Sequence, residues 1–220
     1  MTVRVGILGG GNISDTHARA ALEIPGVEIV AMHGGNVERT RTLTERYGGE
    51  LYPDLDGFLS HPMDVVLIGS PSGLHAEQAT AAVRRGLHVL AEKPLDISTA
   101  RIDALLAEAE RQGVKLGVFF QSRAAPDLAW VKRLVESGGL GEPFLASAQV
   151  KWYRPPEYYA DSRWRGTFAS AESRRIMISE RVISRLKKQL VMLLWIDAAR
   201  QKSRARVDLP IAGRAAMMII

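Results

Sequence analysis

The chain has 220 residues, an ordinary apolar share of 46%, a formal net charge of +5 and no cysteine. That length holds one large domain or one and a half ordinary ones. The absence of cysteine excludes disulfides and thiolate metal sites and suits a reducing cytosol; no metal-binding residue is expected.

Residues 3–8 form a short apolar run of the kind that makes a fully buried parallel strand. The run leads into Gly9-Gly10-Gly11, and a helical pattern follows over 12–24, with Ile13, Ala20, Ala21 and Ile24 on one stripe. Gly9, Gly11 and Ser14 fit the G-x-G-x-x-G/A spacing, with serine in the third place. In such a turn the first glycine permits a tight bend and the second lets the backbone approach a pyrophosphate. The third place needs only a small side chain where helix meets strand. The free N–H groups and positive end of the helix then face the phosphates. The alternative is a plain glycine-rich turn. A preceding strand and a following helix favour dinucleotide binding.

Pro25-Gly26 ends the first helix, and residues 27–32 predict a second strand. His33-Gly34-Gly35 is a turn, and Asn36 caps a helix running through Tyr47. Asp54 is placed to cap a short helix holding Phe58 and Leu59. Residues 64–69 predict a buried strand, after which Ser72 caps a helix ending near Gly86. Residues 87–92 predict a strand broken by Lys93-Pro94. Ser98 caps a helix with Ile102, Leu105, Leu106 and Ala109 inward and Gly113 as its stop. Residues 115–120 predict the last strand of this set. Strands alternating with helices at this spacing imply a parallel sheet with helices on both faces.

From about Gln121 the pattern changes. A helix over 127–136 ends at Ser137-Gly138-Gly139, and residues 144–153 alternate as a half-buried strand opening a second domain.

Two stretches carry polar groups at strand tips, where an open α/β sheet binds ligands. In Ser70-Pro71-Ser72-x-x-His75 the two serines are placed to donate to a ribose or pyrophosphate; alternatively Ser72 is only a cap and His75 a surface residue. In Glu92-Lys93-Pro94 the lysine faces the same crevice, where its ammonium can steady a substrate oxygen; alternatively it is a surface lysine paired to Glu92.

Gly9-Gly10-Gly11-Asn12-Ile13, Ser70-Pro71-Ser72-x-x-His75 and Ala91-Glu92-Lys93-Pro94-Leu95 together resemble the glucose-fructose oxidoreductase and inositol dehydrogenase (Gfo/Idh/MocA) family. The likeness continues through Gly117-Val118-Phe119-Phe120-Gln121, the aromatic stretch 152–159 and Trp164-Arg165-Gly166-Thr167, and so covers about residues 3–168. It implies a Rossmann domain for NAD(P) and an α/β substrate domain whose open sheet often forms an oligomer interface. It also implies reversible oxidation of a sugar or cyclitol hydroxyl, with Lys93 as the catalytic lysine. The 153–167 stretch looks most like members acting on sugars, including nucleotide-linked ones. The cofactor-binding residues expected are Gly9, Gly11, Asn12, Ile13, His33, Arg39, Ser70, Ser72, His75, Glu92 and Gln121.

The chain departs from the family pattern in two places. After the second strand, Gly34 stands where an acid usually holds the ribose 2′-OH, with His33, Arg39 and Arg41 nearby. This predicts NADP over NAD, because an arginine can pair with a 2′-phosphate that no carboxylate repels. The second departure follows Ala169. The family's glycine-rich segment and catalytic histidine do not follow, and all five histidines lie at or before His88.

Residues 1–170 carry 18 Lys+Arg against 20 Asp+Glu, and residues 171–220 carry 11 against 4. Ile178, Val182, Leu186, Leu190 and Leu193 follow helical spacing in that basic tail. It reads either as an amphipathic module or as a truncated or frameshifted end, and the second is expected. Without aromatic interleaving or a reader motif, nucleic acid is not an expected partner. The longest strongly apolar run, 190–196, falls far short of the roughly 20 residues that span a bilayer. No basic stretch followed by an apolar core opens the chain, so no signal peptide and a cytoplasmic location are expected.

The expected architecture is thus α/β. A Rossmann doubly wound parallel sheet occupies 1–122, an incomplete α+β substrate domain 123–169, and an atypical basic tail 170–220. The expected partners are a nicotinamide dinucleotide and a small sugar or polyol, with a homo-oligomer if the second domain were complete. The lineage expected is an NAD(P)-dependent sugar or cyclitol dehydrogenase, with little or no turnover from the chain as given, because residues 170–220 supply neither the family's histidine nor a closed substrate wall. The reading from another class is a non-catalytic NAD(P)-binding protein, a decayed enzyme or a nucleotide sensor.

Overall fold

The computed structural model describes residues 2–141 and the two-residue strand 218–219. Six parallel strands make the sheet: β1 (Val3–Leu8), β2 (Val27–His33), β3 (Glu50–Tyr52), β4 (Val65–Ile68), β5 (His88–Glu92) and β6 (Leu116–Phe119). Their order is β3-β2-β1-β4-β5-β6, which reverses direction between β1 and β4. A seventh strand, β7 (Met218–Ile219), pairs antiparallel with β6 in the tail, where no strand was expected. The helices are α1 (Asn12–Leu22), α2 (Val37–Tyr47), α3 (Leu55–Ser60), α4 (His75–Val83), α5 (Thr99–Gln112) and α6 (Pro126–Glu136).

The continuous apolar runs of the strands follow from burial on both faces. Val5, Ile7, Ile29, Leu67 and Leu90 join one core with Ala18 and Ala21 of α1 and Leu43 of α2. Their neighbours Leu8, Ala31, Val66, Ile68 and Val89 join the other, with Phe58 and Leu59 of α3, Ala79 of α4 and Leu105 of α5. Successive residues of a strand point to opposite faces, so one run serves both layers; in β2 an irregularity opposite Val5 and Gly6 shifts the alternation, which puts Ile29 and Ala31 in different cores.

Several caps form as expected. Asn36 accepts from the Arg39 N–H, Asp54 from the Gly57 N–H and Ser98 from the Arg101 N–H, while Gly113 closes α5 in the left-handed conformation.

Four expectations are corrected. The buried stripe of α1 is Ser14, His17, Ala18 and Ala21, while Ile13 and Ile24 are exposed. The strand tips beneath α1 leave room only for small groups, and a partner receives His17. Leu106 is exposed rather than inward. Ser72 does not cap α4. It opens a 3-10 turn over Ser72–Leu74, and α4 starts at His75. The edge strand β3 was not expected; three residues are too few to show a period. The strand expected over 144–153, the substrate domain beyond Gly141 and the amphipathic tail pattern lie outside the described residues.

Asp15 on α1 ties that helix to α2. Its Oδ1 accepts from the Tyr47 hydroxyl at 2.8 Å and from Arg46 Nη1 at 2.9 Å. The Tyr47 hydroxyl first, and the Arg46 guanidinium with it, hold the Asp15 carboxyl below the usual carboxylate range. A carboxyl depressed in the folded state adds stability above its unfolded value, about 3.9, which is lost as pH falls through the folded value. Asp15→Asn is therefore expected to flatten the acid side of the stability profile. Urea midpoints of the two proteins should differ at pH 7 and converge as pH falls through the lowered folded-state value of Asp15; parallel profiles would remove Asp15 from the acid response.

Candidate active site at the carboxyl ends of the strands

The reversal between β1 and β4 opens a crevice at the carboxyl ends of the strands, where doubly wound sheets take their ligands. Each place in the glycine fingerprint has its own steric reason. Gly9 sits at φ +138, and a Cβ there would lie 2.5 Å from Ser14 Oγ and 2.8 Å from the Gly69 carbonyl. Gly11 is different. Its φ of −97 is open to any residue, and a Cβ there would meet nothing within 4 Å. The described residues do not themselves require glycine at 11, which leaves open space in front of the backbone there. Gly11 is also the N-cap of α1 and has no side chain to offer the free amides of the first turn. Asn12 and Ile13 begin that turn. Ser14 is fully buried against the β1 and β4 tips, and its Oγ has no partner among the described residues. A cradle kept open at Gly11, beside an uncapped helix start, fits a pyrophosphate.

At the β2 tip, His33 Nδ1 lies 2.9 Å from the Tyr52 carbonyl. A Cβ on Gly34 would come within 2.6 Å of Thr40 Oγ1, 2.9 Å of the Gly10 nitrogen and 3.0 Å of the Gly9 carbonyl carbon. Thr40 is fully buried and donates to the Asn36 carbonyl at 2.8 Å. Thr40 and the glycine loop therefore occupy the room an acid at 34 would need. Arg39 is exposed on the first turn of α2.

At the β4 tip, Ser70 Oγ donates to Gln78 Oε1 at 2.5 Å. His75 is not the surface residue of the alternative reading. It is 1% exposed, and its ring nitrogens lie 2.7 Å from the Pro94 carbonyl and 2.7 Å from the Ser70 carbonyl. At the β5 tip the Glu92 carboxylate faces inward. Oε1 lies 3.0 Å from His17 Nε2, and Oε2 accepts from the Lys93 N–H at 3.1 Å. Gln121 follows β6 in a 3-10 turn and is exposed. Beside Lys93 is an opening of about 350 Å³, lined mainly by apolar side chains that include Pro94, Leu106 and Phe120. Asp96 also lines it; one of its carboxylate oxygens is buried with no partner among the described residues.

The structure thus places Gly9, Gly11, Asn12, Ile13, His33, Ser70, Ser72, Glu92, Lys93 and Gln121 along one edge of the sheet, with Arg39 on the adjoining helix and His75 beneath. Sequence reasoning missed His17, Thr40 and Asp96. The one available signal for His17 was its position three residues after Ser14, on the stripe that the fingerprint turns inward. Among the described residues no group of three or more His, Asp or Glu is placed to hold a metal, and no helix is long and apolar enough to cross a membrane.

Residues 3–120 match the model of an oxidoreductase family with an NAD-binding Rossmann fold, Gfo/Idh/MocA. The chain is 33% identical over 164 residues to a dTDP-3,4-didehydro-2,6-dideoxy-alpha-D-glucose 3-reductase from Actinomadura kijaniata, covering 74% of this chain and 49% of that protein. It superposes with TM-score 0.75 and 30% identity on the WlbA dehydrogenase of Bordetella pertussis, solved with NADH and UDP-GlcNAcA, covering 77% of this chain and 50% of that one. A 3-ketoreductase from Actinomadura kijaniata in complex with NADP gives TM-score 0.59 and 32% identity, over 64% of this chain and 46% of that one. The chain spans about half the length of the relatives it matches. With the fingerprint, the strand order and the match over residues 3–120 in agreement, the chain belongs to the Gfo/Idh/MocA oxidoreductase family.

Proposed function

We propose that this chain is an NAD(P)-dependent oxidoreductase acting on a hydroxyl of a sugar or cyclitol, with Lys93 as its catalytic residue. The observation that carries the reading is the placing of the open Gly11 cradle and Lys93 on one carboxyl edge, at the tips of β1 and β5 of one sheet. Gly9, Gly11, Asn12 and Ile13 hold the pyrophosphate, the β2 tip and Arg39 meet the adenosine end, and the β4 and β6 tips with Gln121 line the remainder. Ser70, Ser72 and Glu92 contribute at the crevice wall, where their side chains already shape the loops. The nicotinamide, when bound, supplies the hydride acceptor or donor.

In oxidation the neutral Lys93 amine takes the hydroxyl proton as hydride leaves the carbon for the nicotinamide; in reduction the Lys93 ammonium donates to the carbonyl oxygen, stabilises the negative charge that gathers there as hydride arrives, and gives it the proton. A positioned proton-transfer group is typically worth about 10²–10⁴-fold. A nucleotide-linked sugar is the substrate class favoured within this reading, on the 153–167 stretch and on the sugar nucleotide bound by the Bordetella relative. The test is titration with NADH and NADPH, followed by turnover on a panel of free and nucleotide-linked sugars and cyclitols. Turnover lost in Lys93→Ala supports the reading. Cofactor binding without turnover on any of them would identify a non-catalytic nucleotide-binding protein instead.

Within this reading NADP binds more tightly than NAD, through Arg39. One exposed charge-assisted contact to the 2′-phosphate is worth about 1–2 kcal/mol, or about tenfold in affinity. Arg39→Ala is expected to bring the two dissociation constants together; an unchanged ratio would remove Arg39 from the discrimination. Gly34→Asp is a poor test by itself, because Thr40 Oγ1 and the Gly10 nitrogen leave no room for its Cβ. Pairing it with Thr40→Ala removes one of those contacts.

A further inference from the structure

Lys93 lies between two residues that buried imidazoles hold. On its amino side, Glu92 Oε1 is 3.0 Å from His17 Nε2, and Glu92 Oε2 turns back to accept the Lys93 N–H. The His17 ring is 5% exposed and stacks on Phe119 of β6, with centroids 4.1 Å apart and planes 18° from parallel. On its carboxyl side, the Pro94 carbonyl lies 2.7 Å from His75 Nδ1, and the other nitrogen of that ring reaches the Ser70 carbonyl. Both His75 contacts are to acceptors. The two histidines come from different helices, α1 and α4, which pack on opposite faces of the sheet.

We propose that His17 and His75 are a pair of positioning residues that fix the Lys93 backbone from both sides, His17 through the Glu92 carboxylate and His75 through the Pro94 carbonyl. Neither ring has the exposed surface to touch a ligand, so each acts through a neighbour of the lysine. His75 also joins the β5 tip to the β4 tip through Ser70, making one unit of two walls of the crevice. The proposal rests on Lys93 being the reacting lysine for its meaning in catalysis, but the geometry it asserts can be measured without turnover.

The experiment uses the full chain and reads the rate at which an N-hydroxysuccinimide ester of acetic acid acylates individual lysines, followed by mass spectrometry from pH 6.5 to 9. Lys115 and Lys132 serve as internal references. His17→Ala and His75→Ala are each expected to speed acylation of Lys93 by about fivefold, the worth of roughly one net hydrogen bond, with the references unmoved. His17→Gln keeps a donor toward Glu92 and should restore the original rate. If His75→Ala fails to fold, His75→Gln, with a single donor, carries the same comparison.

An unchanged Lys93 rate in both variants overturns the proposal. So does a rise shared by all three lysines, which is the mark of a merely structural role. A separate arm adds saturating NADH to the unsubstituted chain. Protection of Lys93 supports its place in the cofactor crevice. Absence of protection counts against the functional reading, while the positioning pair is still judged by the variants alone.

Discussion

Gly11→Val is expected to remove nicotinamide-dinucleotide binding while leaving the fold in place. A Cβ at Gly11 meets nothing within 4 Å, and its backbone is in a region any residue adopts. The structural cost is confined to the helix cap, where replacing glycine by a branched apolar residue costs about 1 kcal/mol. The functional cost is the whole approach of the pyrophosphate to the α1 amides. A fall in NADH affinity of at least about hundredfold, near 3 kcal/mol, should accompany a thermal transition that stays cooperative.

Gly9→Val gives the opposite signature. The residue sits at φ +138 with Ser14 Oγ and the Gly69 carbonyl already against the missing Cβ, so it should lose the fold itself. Fluorescence titration and thermal unfolding of both variants separate a glycine kept for a ligand from one kept for the chain. Unchanged affinity in a folded Gly11→Val protein would falsify the cradle.

Phe58→Ala is expected to cost about 3–5 kcal/mol, a large part of the total stability of an ordinary domain. Phe58 is 0% exposed and is the largest fully buried side chain among the described residues. It stands on a helix of only six residues and fills the space left by Gly6 on β1, where an added Cβ would come within 2.8 Å of the ring. With no side chain at 6 to move in, the cavity cannot collapse from that side. A midpoint fall of roughly 10–20 °C is expected. Gly6→Ala alone should also destabilise, because its Cβ would come 2.4 Å from Met63 Sδ. Combined with Phe58→Ala it should cost less than the sum, since each change makes room for the other. Strict additivity in a thermal-melt cycle would show that the two sites do not share the space.

The sequence by itself determined the layered α/β architecture and the sheet edge at which the candidate site residues gather. Strands buried on both faces must be continuously apolar, so β1, β2, β4, β5 and β6 could be read without a partner in view. Caps are equally local. Asn36, Asp54 and Ser98 satisfy amides three residues ahead, within reach of any short window of sequence. The fingerprint could be read for the same reason, since Gly9, Gly11 and Ser14 act within one turn of chain.

What only the tertiary structure decided depends on distant partners. α1 turns Ser14 and His17 inward in preference to Ile13, and ends at Leu22, before Ile24. Two glycine-edged strand tips accept only a small group, and Glu92, 75 residues away in sequence, receives the imidazole. His75 is polar and follows a turn, so its local context points to the surface; carbonyls on two separate strand tips bury it. Gly34 looks in sequence like a lost acid. In space it is the only residue that fits between Thr40 and the glycine loop. For His17 and His75 the local preference is worth about 1 kcal/mol or less, and a buried, hydrogen-bonded contact outweighs it; at Ser14 and Gly34 the room left by their neighbours decides.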